Sequence, residues 1–199
     1  MSELQRLAAV AVSRNFEEIT SINKLGEGAA NRAFIIEFRD GFKLVARVPY
    51  PVTQPRELIV ASEAATMTFL RSKGIPVPQV YGYSATADNP ANTEYIFMEF
   101  SRGRELGTVW SDMGEHDRLR LVRSLVDLEA RLFSCCLPAS GSLYFLRDLS
   151  ATVPKLAVHP GDVDQPGSLY IGPSTSLDLW YGKRSGLDVE RGPCRFTGL

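Results

Sequence analysis

The stretch Lys24-Leu25-Gly26-Glu27-Gly28-Ala29-Ala30-Asn31-Arg32-Ala33-Phe34 decides how this chain is read. Its two glycines stand between two runs of strand-forming residues, Ile19 to Leu25 and Ala33 to Phe38. Short apolar and β-branched runs bounded by glycine read as strands. A third run, Phe42 to Val48, follows across Asp40-Gly41, a dipeptide that favours a tight hairpin. Pro49, Pro51 and Pro55 then stop the sheet. A helix is predicted from about Arg56 to Lys73, closed by Gly74 with Pro76 beyond it. Two more strands, Gln79 to Tyr83 and Glu94 to Phe100, flank a polar loop containing Asp88-Asn89-Pro90. Three strands, one helix and two strands make a small, mostly antiparallel α+β unit.

The flanks are simpler. Leu4, Leu7, Ala8 and Ala11 recur at helical spacing, so residues 3–13 read as a short helix in an N-terminal extension, 1–18. Gly103 to Gly107 reads as a linker. Glu115 to Phe133 is a long amphipathic helix with Leu121, Leu125, Leu128 and Leu132 on one stripe and Arg123, Asp127 and Arg131 on another. After Pro138 the periodicity fades into short strands and turns.

Composition narrows the function classes. The 199 residues carry 22 Lys and Arg against 23 Asp and Glu, a formal charge of -1, so nothing draws the chain generally to nucleic acid or an anionic membrane. Apolar runs reach about six residues, as in Leu7 to Val12, far short of the roughly 20 that span a bilayer. Cys135, Cys136 and Cys194 are odd in number and lack metal-ligand spacing, which predicts reduced thiols in an intracellular compartment.

Three features invite chemistry. Gly26 and Gly28 in a turn let a backbone approach a phosphate, although glycines between strands serve equally as plain turn residues. A strand follows them where a P-loop would open a helix, and GK[ST] is missing. Arg47, in Leu44-Val45-Ala46-Arg47-Val48, shares a strand face with Val45, and a solvated charge is the plain alternative. Glu63 falls on the stripe of Val60, Met67 and Leu70; an apolar stripe asks a buried carboxylate to find a cation, and Arg47 is the candidate, unless Glu63 sits at the stripe's edge and reaches water.

A glycine hairpin, a cation on the third strand, an acid on the next helix and Phe97-Met98-Glu99-Phe100 closing the fifth strand resemble the small lobe of protein kinases. More closely, the chain resembles the fungal branch of aminoglycoside-phosphotransferase-like proteins that includes the altered-inheritance-of-mitochondria protein 9 group. The resembling segments include residues 24–34, Val45-Ala46-Arg47-Val48-Pro49, Ile75-Pro76-Val77-Pro78-Gln79-Val80-Tyr81, Gly141-Ser142-Leu143-Tyr144, Ile171-Gly172-Pro173 and Arg191-Gly192-Pro193. The resemblance implies a nucleotide-binding small lobe at 19–101 and an incomplete helical large lobe at 102–199. It implies that Gly26, Gly28 and the amides around Ala29 cover the phosphates of ATP, with Arg47 touching the α- and β-phosphates and Glu63 holding it. It further implies that Val45 packs on adenine, that backbone groups of Glu99 and Ser101 hydrogen-bond its edge, and that Met98 lies at the back of the pocket.

Phosphoryl transfer in such folds also needs a catalytic aspartate, a magnesium-binding asparagine five residues on and a later metal-binding aspartate. All five asparagines lie within the first 92 residues, so no DxxxxN can form after them. His159-Pro160-Gly161-Asp162-Val163-Asp164 reads as a turn, and Trp110, Trp180 and Tyr181 as packing. The expectation is a fragment of an ATP-dependent phosphotransferase with no catalytic residue and no metal site of its own, Mg²⁺ belonging only to a full-length form. The alternative is a non-catalytic interaction or scaffold domain linked to mitochondria. The partners expected are nucleotide and a second copy of the chain, which an uncovered 115–133 helix would recruit.

Overall fold

The computed structural model describes residues 2–159, 161, 165 and 167–195; Asp162 and Asp164 of the turn considered above lie outside the described residues. Helix α1 (Ser2–Ala11) leads into strands β1 (Ile19–Glu27), β2 (Asn31–Phe38) and β3 (Lys43–Pro49), helix α2 (Arg56–Ser72), and strands β4 (Val80–Ser84) and β5 (Tyr95–Glu99). The five strands form one antiparallel sheet in the order β1-β2-β3-β5-β4. The chain is thus α+β, and each predicted element of its first hundred residues is present within two residues of the expected bounds.

Two glycines earn their places by backbone conformation. Gly41 turns the β2–β3 hairpin at φ +82° with its N–H on the Phe38 carbonyl, while Asp40 Oδ1 accepts from the Phe42 N–H at 3.0 Å. Gly74 at φ +73° ends α2: its N–H bonds the Arg71 carbonyl and the next N–H, of Ile75, bonds that of Leu70. That pair of bonds is the Schellman closure, which an L-residue with a Cβ resists.

The strand period of two sorts β3 onto two faces. Leu44, Ala46 and Val48 point with Ile36, Phe38, Tyr95 and Phe97 toward Leu4, Ala8 and Ala9 of α1. Val45, Ile96 and Met98 point the other way, onto Val60 of α2. The N-terminal helix is therefore built into the sheet's core.

Residues 102–199 were expected to begin a helical lobe, and their architecture differs from that. Only one long helix occurs there among the described residues: after the four-residue α3 (Leu106–Val109) comes α4 (Glu115–Phe133), at the bounds read from sequence. Then follow β6 (Ala139–Ser140), β7 (Ser142–Phe145), β8 (Leu156–Ala157), β9 (Leu169–Gly172), the short α5 (Leu177–Trp180) and β10 (Cys194–Arg195). β7, β9 and β8 make a three-stranded antiparallel sheet that covers the side of α2 facing away from the first sheet. Ala65 and Phe69 of α2 pack there with Leu143, Phe145 and Ile171, and Ala61 packs with Tyr144, Leu149 and Tyr170. The run Leu143-Tyr144-Phe145 is apolar on both strand faces because both are covered. Tyr83 of β4 ties the sheets together, donating to Asp148 Oδ2 at 2.7 Å while Arg147 Nη2 donates to its oxygen at 2.9 Å. Burial and this carboxylate raise the Tyr83 phenol above its ordinary value.

Helix α4 buries no residue. Leu119, Val122, Leu125, Val126 and Leu132 are about half exposed and Phe133 is 84% exposed, an apolar arc running the length of the helix. A surface patch of this kind favours association. The chain is expected to self-associate at micromolar concentration in sedimentation velocity, and Leu125→Glu with Leu132→Glu is expected to restore the 22.0 kDa monomer. A wild-type chain that stays monomeric would contradict this.

Candidate functional site

The β1–β2 turn is held by two sets of bonds. The Gly28 N–H donates to the Asn31 carbonyl at 2.9 Å, and the Ala30 carbonyl accepts from the Tyr50 N–H (2.9 Å) and Thr53 Oγ1 (3.0 Å). Among the described residues, the N–H groups of Ala29 and Ala30 have no protein acceptor. Beneath the turn lies a cleft of about 500 Å³, lined by residues 26–31 with Ala33 and Arg47. A Cβ at Gly26 would meet no atom within 4 Å, and one at Gly28 only the Asn31 carbonyl at 3.8 Å, and neither glycine has positive φ. The chain's own packing thus makes no demand for glycine at either position. What the missing side chains leave is room above the cleft.

Arg47 reaches this cleft from β3. Ala33 stands directly across the strand pair from it, and that small side chain leaves the guanidinium space to run toward Asn31, two residues along β2 on the same face. Arg47 Nη1 donates to Glu63 Oε1 of α2. With the Asn31 amide in the orientation that satisfies its neighbours, Asn31 Oδ1 accepts from Arg47 Nε at 3.2 Å and Nη2 at 2.8 Å. The side chains of Arg47 and Glu63 are 38% and 22% exposed. Burial raises the Glu63 carboxyl above its ordinary 4.5, and Arg47 opposes that rise without cancelling it.

Two more ion pairs fasten α2 to the first sheet. Arg56 Nε lies 2.7 Å from Oε1 of Glu94, which is only 1% exposed, and Arg71 Nη1 lies 3.4 Å from Glu99 Oε2. Neither pair was read from the sequence, and neither was the Asn31 contact. The pattern gave one signal for the last: Asn31 occupies the place of the third glycine in GxGxxG.

The structure brings Gly26, Gly28, Ala29, Arg47 and Glu63 together, and leaves the other expected residues elsewhere. Val45 and Met98 pack with Val60 and Ile96 beneath α2 and do not line the cleft. The Glu99 N–H is already committed to the Gln79 carbonyl at 2.8 Å, and its carboxylate accepts from the Gln79 N–H at 3.1 Å. Ser101 is exposed, outside the cleft. Trp180 serves packing, its Nε1 donating to the Ser174 carbonyl at 2.7 Å under the Arg191 guanidinium. Among the described residues no group of three His, Cys, Asp or Glu side chains is placed to hold a metal ion, and no helix is long and apolar enough to cross a membrane.

No protein-family model matches the chain. Known proteins do. It is 36% identical over 179 residues to a subtelomeric hrmA-associated cluster protein of Aspergillus fumigatus, covering 89% of this chain and 34% of that one. It is 32% identical over 192 residues to the mitochondrial altered inheritance of mitochondria protein 9 of Komagataella phaffii, covering 90% and 31%. The protein of that name from Saccharomyces cerevisiae is 28% identical over 198 residues, covering 91% and 31%. The chain is therefore similar to the altered-inheritance-of-mitochondria protein 9 group, and it spans about a third of the length of these relatives.

A raised Glu63 carboxyl has a consequence for stability. The native state holds the proton more tightly than the unfolded chain, so its contribution is complete below about pH 4.5 and is lost as pH rises through the higher native value. Glu63→Gln removes this loss. Urea midpoints from pH 4 to 7 should show the variant gaining on the wild type as pH rises; a constant difference would contradict the assignment.

Proposed function

We propose that this chain is a non-catalytic, nucleotide-binding module of a mitochondria-associated protein, and that the cleft under the β1–β2 turn takes the nucleotide's phosphates. The observation that carries the reading is the convergence of donors. Ala29 and Ala30, whose N–H groups have no protein acceptor among the described residues, line the same cleft as a guanidinium that Glu63 and Asn31 hold in place. Backbone amides around a turn and an arginine fork are the chemistry of anion binding. The room left by Gly26 and Gly28 suits a ligand whose oxygens approach the backbone closely.

Further support comes from the fold. A five-stranded antiparallel sheet, with a helix after the third strand that pairs its acid with a third-strand cation, agrees with what the kinase-like resemblance implies. The names of the relatives favour mitochondrial association over phosphoryl transfer. The described residues give Mg²⁺ no cluster of ligands, and no step of the proposal uses one.

Binding to the native state alone raises stability by about 2.7 kcal/mol when ligand stands at 100 times its Kd. For a chain of this size that is roughly 5–10 °C in Tm. Saturating Mg-ATP should give a shift of this order, and Arg47→Ala should abolish it. No shift at millimolar Mg-ATP would overturn the reading.

A further inference from the structure

We propose that Asn31 is a positioning residue for the phosphate arm of the nucleotide, acting through Arg47; this rests on the reading of the cleft just given. A guanidinium has five N–H bonds. Glu63 takes one at Nη1, and Asn31 Oδ1 takes the Nε–H and one at Nη2. One N–H then remains on each terminal nitrogen to donate to the oxygens of a di- or triphosphate.

Held by Glu63 alone, the guanidinium would pivot about a single hydrogen bond. The second hold fixes its plane before any ligand arrives, which removes ordering that binding would otherwise have to supply. The residue type follows from the same geometry. Glycine, which the GxGxxG pattern would place here, offers no side-chain acceptor. Aspartate would accept more strongly, and would set a carboxylate against the anion. A neutral amide orients the arginine without repelling its ligand. A lysine on β3 would present no Nε–H for Asn31 to fix, so Asn31 and Arg47 form one device.

Isothermal titration with ATP, inorganic tripolyphosphate and adenosine tests this, on the wild type, Asn31→Ala, Arg47→Lys and the double variant. Asn31→Ser replaces Asn31→Ala should the latter fold poorly. The side-chain Nε–H resonance of Arg47 reports its orientation independently of any ligand. Asn31→Ala is expected to weaken ATP and tripolyphosphate by about tenfold or more, the scale of one charge-assisted hydrogen bond, and to leave adenosine unchanged. It should also expose the Nε–H to fast exchange, whereas Asn31→Asp, which keeps the acceptor, retains the protected signal. In the Arg47→Lys background Asn31→Ala should add no further loss. ATP binding equally well to wild type and Asn31→Ala would overturn the role of Asn31 and leave the cleft reading standing, and so would a loss that persists undiminished in the Arg47→Lys background. A wild type that binds neither ATP nor tripolyphosphate would overturn both, even with the Nε–H signal protected.

Discussion

A carboxylate on the apolar stripe of a helix packed between two sheets constrains everything around it. Glu63 lies midway along α2, with the five-stranded sheet on one side and the β7-β9-β8 sheet on the other. Removing a carboxylate from water costs several kcal/mol unless a cation meets it. Arg47 is that cation, reaching Glu63 from β3. Arg56 with Glu94, and Arg71 with Glu99, repeat the arrangement toward the two ends of the helix. The central pair differs from these in where it opens: Arg47 lines the cleft under the glycine turn.

A pair of this kind is a poor device for stability alone. Well-packed apolar residues often serve as well or better in place of a buried ion pair. What the charges provide is an oriented guanidinium, and Asn31 completes the orientation. The glycines fit this account, because neither Gly26 nor Gly28 is required by its own backbone or neighbours.

Much of this was legible in the sequence, and the boundary has physical causes. Helix α4 declared itself through the spacing of Leu121, Leu125, Leu128 and Leu132, and α2 through its stripe and the Gly74 stop. The Arg47–Glu63 contact was legible because a carboxylate on an apolar stripe demands a partner. Asn31 was not, because its role depends on the β2–β3 register that puts Ala33 opposite Arg47 and leaves space beside it. Glu94 was not, because a buried acid at a strand's start reads like a solvated loop acid until Arg56, 38 positions earlier, is seen beside it. The three-stranded sheet escaped for a related reason: β7 pairs with β9 across more than twenty intervening residues, and β8 is two residues long. The adenine-side roles of Val45 and Met98 came from resemblance alone, with no residue pattern in the sequence pointing to them.

The central claim is that the Arg47–Glu63 pair exists for the cleft and not for the fold. Urea unfolding of the double variant Arg47→Met/Glu63→Leu, with and without Mg-ATP, tests it most directly. The account predicts that without nucleotide the variant matches the wild type to within about 1 kcal/mol, as apolar replacement of a half-buried pair allows, and that nucleotide no longer raises its midpoint. A variant destabilised by about 3 kcal/mol or more, yet still stabilised by nucleotide as the wild type is, would contradict it.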